Sequence, residues 1–448
     1  MTLKPQETQQ IAEYFFGKKC LLIDPSSTTR LTIRKMLTGF KVENSDIYNA
    51  ENFKVAETFI HEHKPHYIFT TYKIKEKNAL DLLPLHLKIQ PNRIEAGFYI
   101  LSDENNISAG NALLDNDIDG LFTLPFTIDA LVNSLLKSIS QKLQPTPYTT
   151  SIEKGREYYF LADVSKAKVK FEEAIKLDPA PFSAYSFLGT LHRELKNIPE
   201  AKDCFKKALS FKDDHYKSLR HLAEICLELG EYEESYQLNS KILDNYPFNP
   251  ERIPELTRLS ITTKRYEDIL NYLKIFTDLK ELGNELVTKF ISAGLAICGR
   301  YLFTRRDPPD QVRGLDALRQ SAKLCRGKKE ILKSIVKTLI EAQKADEAKK
   351  ILEQYATEDT NGNDFIFMQI EILDSFSKDP LPILNLGQPL VISKYENSKL
   401  YEIMIKRSIE AKRKKAGIEG IINQAIILFP DEKEKYEKIL ATLDQTLT

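Results

Sequence analysis

The sequence predicts an α/β domain, a doubly wound parallel sheet, followed by an all-α array of helix pairs. Three observations lead there. Up to about residue 145, short apolar runs alternate with amphipathic stretches. Beyond residue 150 the strand-like runs stop, and small and apolar residues recur with a period of about 34 residues. Between the two regions lies SQKLQPTPYTTS (140–151), whose two prolines and several hydroxyl residues have the composition of a linker.

The first region contains CLLID (20–24), DIYNA (46–50), HYIFTT (66–71), GFYILS (97–102) and GLFTL (120–124). Runs this short, apolar at consecutive positions, suit parallel strands covered on both faces. Amphipathic stretches near 27–39, 51–63, 78–89, 106–116 and 127–141 supply the covering helices. The functional crevice of such a sheet lies at the carboxyl ends of its strands. Residues 1–17 read as a helical extension, 18–141 as the α/β domain, 142–150 as the linker and 151–448 as the helical array.

In that array, Gly155, Tyr158, Ala167, Phe171, Ala174 and Pro179 return one period later, at identical spacing, as Gly189, His192, Ala201, Phe205, Ala208 and Asp213. A weaker third copy runs through Leu222, Ala223, Ser235, Ile242 and Pro247, and a fourth keeps Leu256, Ile269, Leu273 and Phe276. Small residues let paired helices approach, and large ones fill the gaps between pairs. This period and content resemble the tetratricopeptide repeat (TPR), a helix–turn–helix unit that stacks into a solenoid. Residues 284–303 with 309–325, the pair within 329–356, and 397–429 continue the pattern, with RRDPPDQ (305–311) as an enlarged turn. DPLPILNLGQPL (379–390) predicts a loop that interrupts the array, and 431–447 a capping helix.

Composition narrows the function classes. The chain has 64 basic and 64 acidic residues among 448, with 42% hydrophobic and 29% charged. The balance holds in each part: 16 basic and 17 acidic residues up to residue 145, then 48 and 47. Neither part carries the basic excess that nucleic-acid binding uses to displace counterions. Five scattered cysteines (Cys20, Cys204, Cys226, Cys298, Cys325) form no CxxC pair, which disfavours zinc and disulfide frameworks. The N-terminus lacks the apolar stretch of a secretory signal, and runs such as CLLI and AIILF are too short to span a bilayer. The expected location is the cytoplasm, without membrane contact.

IDPSSTTR (23–30), ALDLL (79–83), ILS (100–102) and LPF (124–126) carry a second resemblance, in order and spacing, to the receiver domain of bacterial response regulators. The resemblance covers about residues 18–140 and implies a flavodoxin-like (βα)5 fold. In that family an acidic pair after the first strand holds Mg²⁺, and an aspartate ending the third strand accepts a phosphoryl group. A Ser or Thr ending the fourth strand and a Lys before a Pro ending the fifth bind the phosphate. Such chemistry needs hard oxygen ligands and charge compensation. Here Asp24 matches one acidic position but Pro25 occupies the other. The acceptor position falls on Thr71, Ser102 keeps the hydroxyl, and Leu124 replaces the lysine. The resemblance therefore implies a degenerate receiver without aspartyl phosphorylation, catalytic residues, cofactor or bound Mg²⁺. Asp24 is read first as a cap of the following helix, beside Ser26 and Ser27, and only second as a residual cation ligand.

Other motifs carry less. DNDIDG (115–120) matches the first half of a calcium loop, but Phe126 stands where the bidentate glutamate belongs, so it reads as a turn. HEHKPH (61–66) groups His61, His63 and His66 without a carboxylate or cysteine to complete a site. KRSIEAKRKK (406–415) is basic and reads as a helix; it supports an alternative, nucleic-acid regulation through Lys412, Arg413, Lys414 and Lys415. A second alternative, residual metal-dependent chemistry in the crevice, rests on Asp24, Ser102 and Asp103.

In the TPR resemblance, first helices line a concave groove. The groove positions are Ser186, Thr190 and Arg193, then Lys217, Arg220 and Glu224, then Glu251 and Arg258. Arg193, Lys217, Arg220 and Arg258 suit an acidic peptide. The combined expectation is a non-enzymatic bacterial signalling adaptor. Its expected partners are a histidine kinase, another response regulator or a peptide in the groove, with residues 106–141 as a face for homodimers.

Overall fold

The apolar runs become five parallel strands in the computed structural model, which describes residues 5–74, 77–103, 110, 116, 118–246, 249–278, 285–356 and 362–447. The elements in chain order are α1 (Pro5–Phe15), β1 (Cys20–Ile23), α2 (Ser27–Gly39), β2 (Ile47–Ala50), α3 (Phe53–His63), β3 (Tyr67–Thr71), α4 (Leu83–Ile89), β4 (Gly97–Asp103), β5 (Gly120–Leu124) and α5 (Ile128–Leu143). A short hairpin pairs Lys73–Ile74 with Lys77–Asn78, and the sequence held no signal for it. The predicted helix near 106–116 falls mostly outside the described residues.

Strand order is β2-β1-β3-β4-β5. Side chains alternate across the pleat. Leu22, Phe69, Leu101 and Phe122 face one way, against Ile33, Met36 and Leu37 of α2, Leu131, Leu135 and Ile139 of α5, and Ile11 and Phe15 of α1. Leu21, Ile23, Ile68, Phe98 and Ile100 face the other, against Ala56 and Ile60 of α3 and Leu83 of α4. Burial on both faces explains why the strands read as continuous apolar runs. Register pairs Thr71 with Leu101, Ser102 with Thr123 and Asp103 with Leu124, so the strand ends form one rim.

Two compact units divide the chain, Met1–Asn249 and Pro250–Thr448. The first holds the α/β elements and three helix pairs: α6 (Pro147–Phe160) with α7 (Val164–Ile175), α8 (Phe182–Glu194) with α9 (Ile198–Phe211), and α10 (Tyr216–Glu228) with α11 (Tyr232–Asn245). Only residues 144–146 separate α5 from α6, and the Thr146 hydroxyl accepts the Thr149 N–H at 3.1 Å to cap α6. The proline-containing segment read as a linker is thus largely helical, because Pro147 stands at the first turn, where no N–H is needed.

The second unit holds α12 (Ile253–Thr262) with α13 (Asp268–Asp278), α14 (Glu285–Thr304) with α15 (Pro308–Cys325), and α16 (Lys329–Glu341) with α17 (Ala345–Tyr355). It continues with α18 (Asn363–Phe376) and α19 (Leu381–Ile392), then α20 (Ser398–Glu410) and α21 (Lys415–Leu428), and closes with α22 (Lys433–Leu447). The loop predicted at 379–390 is instead helix α19. Pro382 sits in its first turn, and Pro389 lies inside it. Burial of Ile383, Leu384, Leu390 and Val391 offsets the backbone bond that Pro389 removes.

The period is written in the turns as well as in the cores. Ala162, Lys196, Gly230 and Lys264 occupy equivalent places in successive repeats, and all adopt left-handed backbone with φ between 60° and 77°. Each turn closes with the same bond: Asp163 N–H reaches Tyr158 O, Asn197 reaches His192, Glu231 reaches Cys226 and Arg265 reaches Ser260. This closure ends the first helix of each pair. Only one of the four is glycine, so the turn leaves little trace in composition.

Gly155 and Gly189 let paired helices meet. A Cβ on Gly189 would stand 2.8 Å from the Phe205 ring, and one on Gly155 2.5 Å from Phe171. The third copy reads weakly because Ala223 and Asn239 replace this glycine–phenylalanine pair. There Ser235 Oγ donates to Ala223 O at 2.9 Å and Asn239 Nδ2 donates to Ser235 O at 2.9 Å.

Among the described residues one helix, α14, is long and apolar enough to cross a membrane by length and composition, a feature that inspection of shorter runs missed. Its apolar residues are used in packing: Ile291, Leu295 and Leu302 are fully buried. Ser292 Oγ donates to Ser321 O at 2.9 Å, and Ser321 Oγ donates to Ser292 O at 2.7 Å, joining α14 to α15.

Two glycines predict opposite outcomes. Gly189→Ala should lower stability by about 1 kcal/mol, because overpacking of about 1–3 kcal/mol exceeds the helix-propensity gain of about 1 kcal/mol. Gly420→Ala meets nothing within 4 Å and should raise stability by about 0.5–1 kcal/mol. Denaturant unfolding of the full chain measures both; a stabilised Gly189→Ala would contradict the close-packing account.

Candidate functional site

Asp24, Pro25, Thr71, Ser102 and Leu124 do converge, at the carboxyl ends of β1, β3, β4 and β5. Their contacts are those of a closed polar rim. Asp24 is buried, its Oδ1 accepts the Ser26 N–H at 2.6 Å, and its own N–H donates to Ala50 O at 3.2 Å. Ser26 caps α2 by accepting the Thr29 N–H. Asp24 therefore makes the turn before the helix, and Ser26 the cap. Burial pushes the Asp24 carboxyl above its ordinary range, against the Ser26 N–H and Arg30, which pull it down.

Arg30 is the residue the sequence reading missed. Its guanidinium donates to Asp24 O and, at 2.9 Å, to Glu51 Oε1. A fixed cation thus stands beside Asp24, on a helix that sequence periodicity treats only as amphipathic. Pro25 is exposed and has no ligating side chain. Ser102 Oγ is buried without a hydrogen-bond partner among the described residues. Thr71 is half-buried at the end of β3, and Leu124 packs against the core beneath α1, α2 and α5.

The amino ends of the strands hold a stronger electrostatic feature. Asp119 Oδ2 accepts the Phe98 N–H at 2.8 Å and a guanidinium N–H of Arg93; its Oδ1 accepts from Lys142 Nζ. Lys142 also donates to Ala96 O at 2.7 Å. Arg93 reaches His86 Nδ1 at 3.3 Å, while His86 Nε2 lies 3.2 Å from both Pro65 O and His66 O. These partners assign a neutral imidazole that donates from Nε2, in line with a pKa lowered to about 3 by burial and by Arg93. For Asp119, burial pushes the carboxyl up, and Arg93 and Lys142 more than offset it, holding the group well below the usual range.

The same Asp119 reaches a cleft of about 260 Å³ that it shares with Arg156, Ser183, Ser186, Phe187 and Lys217. The α/β domain therefore faces the first helices of the three helix pairs in its own unit, an arrangement that no local pattern foretells. Lys217, expected as a groove residue, lies in this junction.

Arg193 and Arg220 meet at Glu224. Arg193 donates to Glu224 and, at 2.9 Å, to Glu228, and Arg220 Nε donates to Glu224 at 3.0 Å. Burial pushes the Glu224 carboxyl up, but His221, Arg193 and Arg220 carry it well below its ordinary value. Arg193 thus ties one repeat to the next, whereas the Arg220–Glu224 pair lies within α10. Arg258 belongs to the other unit, on α12, and is exposed.

The remaining motifs disperse. His63 stacks on Tyr48 at 3.9 Å, His66 Nδ1 accepts the Lys19 N–H, and His61 is exposed. Asp115 and Asp117 lie outside the described residues. The basic stretch 406–415 is not one helix: α20 ends at Glu410, Lys412 is left-handed, and α21 starts at Lys415. Arg407 is buried against Asp374 and Glu410, at 2.6 and 2.8 Å. The closure seen in the repeat turns, here Arg413 N–H to Ser408 O, breaks the helix there.

Comparison with known proteins places a tetratricopeptide repeat at residues 182–215, which are α8, α9 and the turn after them. No curated protein matches the chain in sequence. Among solved structures, a tetratricopeptide repeat protein from Parabacteroides merdae is 16% identical, covering 58% of this chain and 98% of its own, with a TM-score of 0.28. The TPR domain of P58(IPK) is 15% identical over 66% of this chain and 99% of its own, at 0.23. Yeast Tom70 is 15% identical over 67% and 65%, at 0.24. At such scores the repeat match and the helix-pair geometry carry the reading: an α/β region followed by a TPR-like array, the architecture of a protein–protein interaction scaffold.

Asp119→Asn should destabilise the full chain by about 3 kcal/mol near neutral pH, because Arg93 and Lys142 lose their counter-charge while still buried. Folded-state depression of the Asp119 and Glu224 carboxyls means their contribution is intact above about pH 5 and is lost progressively as pH falls below it. The gap between wild type and Asp119→Asn should therefore narrow with acid, as read by urea unfolding at neutral pH and at about pH 3. A gap independent of pH would contradict the charge account.

Proposed function

We propose that the chain is a non-enzymatic signalling adaptor, a receiver-like domain without phosphoryl chemistry joined to a TPR-like array that holds protein partners. The observation that carries the reading is Thr71 at the end of β3, with Pro25 and Leu124 beside it. These occupy the positions where a receiver has its acceptor, a metal-binding acid and a lysine. A neutral threonine hydroxyl forms no acyl phosphate, and Leu124 offers no charge to a phosphoryl group. The strand order β2-β1-β3-β4-β5 is consistent with the receiver resemblance.

Mg²⁺ fits these residues poorly. It takes several hard oxygen ligands; Asp24 already accepts the Ser26 N–H, and Arg30 stands beside it with its own positive charge. In this reading Arg30 supplies permanently the compensation that a metal supplies in an active receiver, so signalling is independent of phosphate. The partners proposed are a kinase or regulator of a bacterial two-component type at the α/β domain, and a second protein along the helix pairs. The basic segment 406–415 is divided by a turn, with Arg407 buried and paired, so a nucleic-acid alternative would rest on Lys412, Lys414 and Lys415, which are exposed.

The full chain incubated with acetyl phosphate and Mg²⁺ should show no phosphoryl adduct by intact mass. A stable adduct that disappears in Thr71→Ala would overturn the phosphate-independent reading. Affinity capture with the full chain should retain the same partners for wild type and Thr71→Ala.

A further inference from the structure

Within the second unit, a cleft of about 620 Å³ opens between the ends of α14 and α16, beside the turn 305–307. That turn is shorter than the enlarged turn 305–311 read from the sequence because Pro308 and Pro309 start α15. Arg300, Thr304, Arg306, Gln311, Thr338 and Gln343 line it. The volume lies inside the range of about 300–1,000 Å³ typical of ligand sites. This is the edge where helix pairs turn, distinct from the groove positions read from the repeat.

The charge around it is uneven. Glu267 binds Arg305 at 2.8 Å and Arg313 at 2.5 Å; Asp310 binds the same two at 3.1 and 3.0 Å. Glu341, which lines the cleft itself, has Lys337 at 3.9 Å. Glu267 and Asp310 are therefore already matched to other bases, while Asp307 beside Arg306 has no ion pair among the described residues. Arg300 and Arg306 are exposed and have no ion-pair or side-chain hydrogen-bond partner among the described residues. Left-handed backbone at Arg306 (φ 56°) belongs to the turn, as at Lys196 and Lys264, and places its side chain on the same cleft.

We propose that this cleft binds a carboxylate-bearing segment of a partner protein, with Arg300 and Arg306 as its anchors. Each guanidinium presents a planar fork of N–H donors that matches a carboxylate in bidentate geometry. The Gln311 and Gln343 amides offer donors and acceptors to a peptide backbone between them. The proposal rests on the scaffold reading above and names the chemistry of one partner.

The test uses the full chain and three fluorescein-labelled nonapeptides, identical except for glutamate, glutamine or phosphoserine at the variable positions. Fluorescence anisotropy should show the glutamate peptide binding at least about tenfold more tightly than the glutamine peptide, with affinity falling as salt rises. Arg300→Gln and Arg306→Gln, both exposed, should leave the melting temperature unchanged and weaken the glutamate peptide by about tenfold or more each. Equal affinity for glutamate and glutamine, or glutamate binding unchanged in both variants, would overturn the assignment. Binding of the phosphoserine peptide alone would also overturn it, in favour of a phosphorylated segment. A partner captured by wild type and equally by the double variant would leave the scaffold standing and remove this cleft from it.

Discussion

The first unit is organised around one buried carboxylate. Asp119 enters the structure at the turn before β5, takes the N–H of Phe98 from β4, and draws Arg93 and Lys142 onto its two oxygens. Arg93 is 1% exposed, and placing such a group inside is costly unless its charge is met; Asp119 meets it and His86 lies beside another donor, while its Nε has no partner among the described residues. Here the loop before β4, the turn before β5 and the end of α5 all converge on the same pair of oxygens. Since α5 leads within three residues into α6, the clasp also sets where the helical array begins.

That constraint gives the two ends of the sheet different characters. At the amino ends charge is concentrated, matched and close to the helix pairs. At the carboxyl ends, where a doubly wound sheet keeps its crevice, Asp24 is engaged by backbone, Arg30 brings a permanent cation, and Thr71 and Leu124 carry no charge. An active phosphoryl site needs free anionic ligands and a mobile metal, whereas these contacts favour a rim of constant charge. The same matching appears in the repeats, where Arg193 reaches Glu224 from a neighbouring helix and Arg220 meets it from the same helix. Basic residues on a groove are thus not equivalent to a free basic surface; Arg300 and Arg306, away from it, have no ion pair among the described residues.

Much of the fold was legible because its signals are local. Consecutive apolar residues at 20–23 and 97–102 report burial on both sheet faces. The Gly155–Phe171 contact returns as Gly189–Phe205 because each pair repeats one packing problem. Errors arose where local rules meet tertiary compensation. Pro389 suggested a loop, but four buried apolar side chains hold its helix. The lysines of 406–415 suggested a helical basic face, but a turn with no glycine divides them. Left-handed Lys196, Lys264 and Lys412 show how a repeated backbone motif hides from composition.

By itself the sequence determined the class of the protein: a parallel α/β domain, then helix pairs of constant period, with degenerate residues at the receiver positions. Periodicity and residue type suffice for that, since both act over a few residues. Only the tertiary structure decided which charges are matched and which are available. Asp119 meets Arg93 and Lys142 across 26 and 23 residues, and Glu267 meets Arg305 and Arg313 across 38 and 46. Such pairings depend on distances between folded elements, which no local pattern encodes. They turn a sequence with zero net charge into one with specific unmatched cations.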